Sequence, residues 1–218
     1  MLRNSMLRAA GNTGAEIEFV GANSANGASS LSINGLGLQQ GDLVVAVTSK
    51  GAGSYSFSSS GWTGVTSGFP TRLRTNSISH TVCYKEMGAT PDTAFSLDTP
   101  VDFLGAIAFR NAQWASTTNE TSGFTFSSGL AVLPSLSIST NGSAAVYLAM
   151  LDDDAAGITT FPNGTPANYT LAENNGQTGG SGAIFYRLDL SSGTESPSSI
   201  RWTSDDAYLN IGLVLEPV

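Results

Sequence analysis

Gly41-Asp42-Leu43-Val44-Val45-Ala46-Val47 is a glycine turn running into an unbroken apolar stretch, and it returns 101 positions later as Gly142-Ser143-Ala144-Ala145-Val146-Tyr147-Leu148. An apolar run without alternation, bounded by turn residues, reads as a central strand covered on both faces. Three more matches keep the same order. Ser30-Leu31-Ser32-Ile33 returns as Ser135-Leu136-Ser137-Ile138, Val82–Met87 as Ile184–Asp189, and Phe103–Phe109 as Tyr208–Val214, at offsets of 105, 102 and 105 residues. Few residues are identical, so what repeats is the pattern. It predicts two similar β-halves, spanning about 15–114 and 124–218, after an N-terminal arm of residues 1–14.

The surrounding sequence supports the same class. Apolar residues do not recur at helical spacing over any long window, whereas short strand-like runs are abundant. Leu136-Ser137-Ile138 and Phe124-Thr125-Phe126 alternate, as half-buried antiparallel strands do. Asn34-Gly35, Asn141-Gly142 and Asn163-Gly164 supply turns, because Asn and Gly tolerate positive φ. The expected fold is all-β, an antiparallel β-sandwich of jelly-roll-like form. One sandwich is favoured over two small domains, since each half alone would leave sheet edges open. Ala115–Gly123 is polar and is expected to be the junction between the halves. Gly51–Ser60, Ser67–Ser77, Asp152–Ala167 and Glu173–Ser181 are expected to be long loops.

Composition narrows the function. Of 218 residues, 40% are apolar and only 12% charged, with a net charge of −8. An acidic chain with scattered Lys and Arg does not suit the nucleic-acid backbone. A surface of Ser, Thr, Asn and Gly is cheap to desolvate against a neighbouring subunit. No run reaches the length of a membrane helix. Residues 1–14 carry Arg3 and Arg8 but no continuous apolar segment, so they read as an assembly arm rather than a signal peptide. Cys83, the single cysteine, excludes an internal disulfide and reads as a small buried hydrophobe.

These strands resemble, in order, β-sandwich modules of bacteriophage virion proteins, including tail and fibre components, and of some bacterial surface proteins. The residues that carry the resemblance are Ile17–Gly21, Gly41–Ala46, Gly61-Trp62-Thr63, Tyr84-Lys85, Ala94–Leu97, Ala106–Ala112, Ala144–Asp153 and Ile211–Pro217. Phe109-Arg110-Asn111 departs from the pattern, standing where Tyr-Arg-Gly is usual. The resemblance implies a non-enzymatic structural or adhesive part located in the virion and transfers no catalytic residues. Expected partners are other virion proteins, met through the arm, further copies in a homo-oligomer such as a trimer, and a host-surface glycan. A capsid decoration or cement protein is the alternative role. A glycan-binding or glycan-cleaving surface protein is the alternative of another class.

Candidate chemistry is sparse. His80 is the only histidine and would have to serve any Ser-His-Asp triad, but no nucleophile elbow accompanies it, and a surface or interface position is expected. Asp152-Asp153-Asp154 and Asp205-Asp206 are the acidic clusters. A strand-end cluster could supply some calcium ligands, yet adjacent side chains on an extended chain point apart, so no cofactor is assigned. Trp62 and Trp202 are expected in the core. Tyr55, Phe57, Phe69, Trp114 and Tyr169 lie in or beside loops and are the candidate residues for stacking on sugars or anchoring an interface.

Overall fold

A computed structural model describes residues 14–51, 53–65, 73–75, 78–124, 130–152, 168–177, 180–197, 199–202 and 206–218. The first half contributes β1 (Glu18–Ala25), β2 (Ala28–Ser32), β3 (Leu43–Lys50), β4 (Thr63–Gly64), β5 (Leu73–Thr75), β6 (Ile78–Glu86), β7 (Ala94–Val101) and β8 (Phe103–Arg110). The second contributes β9 (Ala112–Phe124), β10 (Leu130–Ala131), β11 (Leu136–Ile138), β12 (Ser143–Asp152), β13 (Thr170–Gln177), β14 (Gly180–Leu190), β15 (Gly193–Glu195), β16 (Ile200–Arg201) and β17 (Ala207–Pro217). One sheet runs β1-β8-β3-β6-β4, with β5 also on β6, and the other runs β13-β14-β12-β17-β9. Their pairings are antiparallel, so the all-β sandwich expected from the sequence is what the chain forms.

The halves correspond strand by strand. β1, β8, β3 and β6 occupy in one sheet the places that β9, β17, β12 and β14 occupy in the other. The two-stranded ribbon β2·β7 likewise corresponds to β11·β15. The register repeats too, with β17 set one residue further along than the sequence match of Phe103–Phe109 to Tyr208–Val214 gives. Val45 lies opposite Ile107, and Val146, 101 residues beyond Val45, lies opposite Leu213.

This layering explains the continuous apolar runs. Val45 and Val47 of β3 meet Val146, Leu148, Ile211 and Leu213 in a central cluster between the two sheets. Val44 and Ala46 point the other way, into a cluster with Leu31, Ile33, Phe95 and Leu97 of the β2·β7 layer. Ala145 and Tyr147 of β12 do the same beneath Leu133, Leu136, Ile138 and Trp202. A strand with apolar layers on both sides has no face that favours polar residues.

Three stretches read as connections contain strands, the shortest being β5 within the expected loop 67–77. Residues 115–123, expected to be the junction, lie inside β9, a 13-residue edge strand paired with β17. Among the described side chains of β9, Ala112 and Trp114, near its start, join the central cluster, and residues 118–123 are polar or glycine. Residues 173–181, expected to be a loop, belong to the β13–β14 hairpin, whose register runs to Gln177 opposite Gly180. β13 is also an edge strand, and a partner on one side is enough to order it.

The real junction is a single residue. Asn111 sits between β8 and β9 with φ 56°, in the left-handed region. Asn is one of the few residues other than Gly that adopts that conformation readily. Its Nδ2 donates to the Glu16 carbonyl at 3.0 Å, and its own carbonyl accepts from the Val218 amide at 3.2 Å.

Candidate functional site

The most elaborate arrangement of aromatic and polar side chains is the seam where the two sheets face each other. Each half extends one edge aromatic across it. Phe19 of β1 stacks on Tyr186 of β14, centroids 4.6 Å apart and planes within 15°. Trp114 of β9 stacks on Tyr84 of β6 at 5.5 Å and 26°. The pairs are counterparts, for Phe19 lies opposite Phe109 in its sheet and Trp114 opposite Leu215 in the other.

Glycine lets the seam close at one end. A Cβ on Gly182 would overlap the Phe103 ring, and one on Gly105 would come within 2.9 Å of both Phe103 Cζ and Ile184 Cδ1. Beyond this point the seam turns polar. Ser24 Oγ donates to Glu173 Oε2 at 2.6 Å, and Asn175 Nδ2 donates to Ser24 Oγ at 3.3 Å. The Gly51 amide donates to Asp102 Oδ2 at 2.8 Å.

His80 of β6 is buried beside this seam rather than lying on the surface. Ile78 and Val82, two positions either side, belong to the central cluster, and strand alternation puts His80 on the same face. Neither ring nitrogen has a hydrogen-bond partner. Burial lowers its pKa from 6.5 to about 4, because the cation would be stripped of water with nothing to replace it.

The expected binding residues fall into three groups. Tyr55 and Phe57 are core residues, not exposed loop aromatics. Phe57 bridges to Leu97 and packs against Trp62 and Phe95, and the Tyr55 hydroxyl reaches the carbonyls of Thr48 and Ser79. The segment therefore supplies rings to the outer layer of the first half, and its Gly and Ser residues concealed an alternating Tyr55-Ser56-Phe57 pattern. Trp114 is half-buried, with one ring face turned to Tyr84. Phe69, Arg3 and Arg8 lie outside the described residues.

Tyr169 is the candidate that keeps polar company. Its hydroxyl donates to Glu195 Oε1 at 2.7 Å, and Arg187 Nη1 donates to the same oxygen at 3.0 Å. Its ring packs edge-on against Tyr147 and Phe185. Burial, reinforced by the Glu195 hydrogen bond, pushes its pKa above the usual phenol range. Half-buried and near-perpendicular to both neighbouring rings, it belongs to a fixed Tyr–carboxylate–guanidinium group at the edge of the second half. In the first half Lys85, the counterpart of Arg187, also pairs with a carboxylate, Lys85 Nζ lying 2.8 Å from Asp92 Oδ2, although the place of Glu195 is taken there by Phe95.

Other expectations place plainly. Trp62, Trp202 and Cys83 are buried. Asp152 ends β12, and Asp153, Asp154 and Asp205 lie outside the described residues. Among the described residues, no three His, Cys, Asp or Glu side chains converge in a way that could hold a metal ion. None of their helices is long and apolar enough to cross a membrane. The sequence reading missed the Asp42–Arg110 pair. Asp42, 1% exposed, accepts from Arg110 Nε and Nη2, both at 3.0 Å, and from the Gln39 amide at 2.7 Å.

No known protein family matches this chain, and no curated protein matches it either.

Proposed function

We propose that this protein is a non-enzymatic structural component of a bacteriophage virion, a tail, fibre or baseplate part that contributes to assembly or host attachment. The observation that carries the reading is the doubled strand order. Each half places its first, eighth, third and sixth strands side by side and sets the second and seventh behind them, counting β9 as the first of its half and matching the others by position. This order supports reading the sandwich as a pair of jelly-roll-like halves, a scaffold widely used in viral coats. The low charge content and the polar, turn-rich surface agree with burial against other subunits. The resemblance of the strand motifs to virion modules points the same way.

The test is to purify particles from a host producing the protein, measure its copy number by mass spectrometry and locate it by cryo-electron microscopy. Density on the tail, fibre or baseplate is the expected result. Density on the head lattice would favour a decoration or cement protein, and absence from the particle would overturn the reading.

The Tyr169–Glu195–Arg187 group favours a second reading, in which the protein binds a host glycan. A phenol edge, a carboxylate and a guanidinium held together are the groups a sugar's hydroxyls engage. Tyr169→Ala should abolish binding on a glycan array if this holds. Unchanged binding would remove Tyr169 from the site, and no binding by the parent would remove the reading.

A further inference from the structure

The outer edge of β9 is the longest strand edge without a partner among the described residues. β9 runs for 13 residues, pairs with β17 on one side, and has no strand on the other among the described residues. Such an edge presents a row of amide and carbonyl groups to any chain that can match it. Proteins usually guard long edges with Lys, Pro, short length or cover. β9 contains no Lys, Arg or Pro, and Glu120 is its only charge. β1, its counterpart, is eight residues long, and its Gly21 is crossed by Leu36 of the short 3-10 turn Asn34–Leu36. β13, at the other edge of the same sheet, also lacks Lys, Arg and Pro but is only eight residues long and is hydrogen-bonded to Ser24 of β1 through Glu173 and Asn175.

Apolar surface lies alongside. Asn119 Nδ2 donates to the Ser135 carbonyl and Thr121 Oγ1 to the Val132 carbonyl, which fastens this segment to the outer face of β9. Leu130 and Val132 of the segment are 46% and 49% exposed, the most exposed large apolar residues short of the chain end.

We propose that this edge pairs with the β9 edge of a second copy, antiparallel, joining two five-stranded sheets into one of ten strands with Leu130 and Val132 covered beside the joint. An antiparallel strand is self-complementary under a two-fold axis, so one surface serves both copies. Charge permits it: any register not centred on Glu120 keeps the two carboxylates from facing each other, whereas the strongly acidic body elsewhere repels its own copy. Area sets the strength. A strand of this length spans about 44 Å. At about 10 Å wide the strip gives roughly 400 Å² per copy, half the roughly 800 Å² of a standard stable interface. Leu130 and Val132 add to it, so the dimer is concentration-dependent rather than obligate. The proposal deepens the assembly reading and rests on it for its role in a particle, while the pairing itself is testable on the isolated chain.

The experiment is sedimentation of the full-length protein over a concentration series, with hydrogen exchange on the same samples. The expected result is a monomer–dimer equilibrium in which β9 amides become protected as concentration rises. Ser122→Glu, which adds a carboxylate to the edge, and Val132→Glu should each raise the dissociation constant at least tenfold. Ser137→Glu, at the exposed position of β11, should leave it unchanged. Glu120→Gln should tighten the dimer several-fold, a gain that misfolding does not produce. A parent chain that stays monomeric, or a dimer indifferent to Ser122, Val132 and Glu120, would overturn the proposal. A dimer that forms while the protein is missing from particles would leave the pairing intact and sink the virion reading alone.

Discussion

Trp114 lies on Tyr84 across the seam just as Phe19 lies on Tyr186, with centroids 5.5 Å and 4.6 Å apart. Each ring comes from the first strand of one half and lands near the end of a long strand of the other: Tyr84 is two residues before the β6 terminus at Glu86, and Tyr186 is four before the β14 terminus at Leu190. The halves are therefore held by an exchange of edge aromatics as well as by the apolar cluster between them.

Removing one clasp should loosen the seam without dissolving either sheet. Trp114→Ala is expected to cost about 2–4 kcal/mol, the range for losing a large packed aromatic that keeps part of its surface in water. Urea unfolding checks it. A cost below about 0.5 kcal/mol would show that the central cluster alone joins the halves.

The Gly182–Phe103 approach is a matter of volume. Gly182→Ala puts a methyl where the ring sits and is expected to destabilise by about 1–3 kcal/mol. Phe103→Ala opens a hole in the same place and costs about 3–5 kcal/mol. The double variant should cost less than the two single costs added, because the methyl then occupies part of the hole. Strict additivity in thermal or urea unfolding would refute the contact.

His80 makes the fold acid-sensitive. Its pKa falls from 6.5 to about 4 on folding because burial penalises the cation. The unfolded chain therefore takes up the proton first as pH drops. Stability from this group is fully present above about pH 6.5 and is lost progressively down to about pH 4, a change of roughly 3 kcal/mol. His80→Leu should flatten that part of the curve. Urea midpoints at pH 7 and pH 4.5, compared between parent and variant, read the difference, and parallel losses in both would place the sensitivity elsewhere.

The ion pairs should rank by burial. Asp42, nearly sealed from water, satisfies Arg110 and the Gln39 amide at once, so Asp42→Ala is expected to cost about 3 kcal/mol. Lys85 and Asp92, at 22% and 26% exposure, gain less from each other. Lys85→Met should cost under about 1 kcal/mol. Chemical denaturation of both variants gives the order, and a reversed order would contradict the burial argument.

How much of this was written in the sequence depends on how many faces of a strand are buried. β3, β12 and β17 were legible because layers on both sides require apolar side chains at every position. β9 was not, because past Trp114 it contributes little to any core and its order comes from backbone pairing with β17, which leaves no trace in side-chain pattern. Tyr55 and Phe57 were hidden differently. Their Gly/Ser-rich setting read as an exposed loop, though the two-residue spacing carried the strand signal. His80 looked polar by its neighbours Ser79 and Thr81, which are buried with it. The Tyr169–Glu195–Arg187 group joins a residue just before β13, one of β15 and one of β14, and spacing alone does not show such a meeting.

Asn111 gathers the ends of both repeats at one point, touching Glu16 on one side and Val218 on the other. Chain order is thus nearly irrelevant to the architecture. A polypeptide opened at Asn111 and closed from Val218 to Glu16 would trace the same sheets, and a polypeptide of half the length could build the same seam by meeting its own copy. The protein is organised as a pair of similar halves joined covalently, and the long β9 is where the two halves differ most.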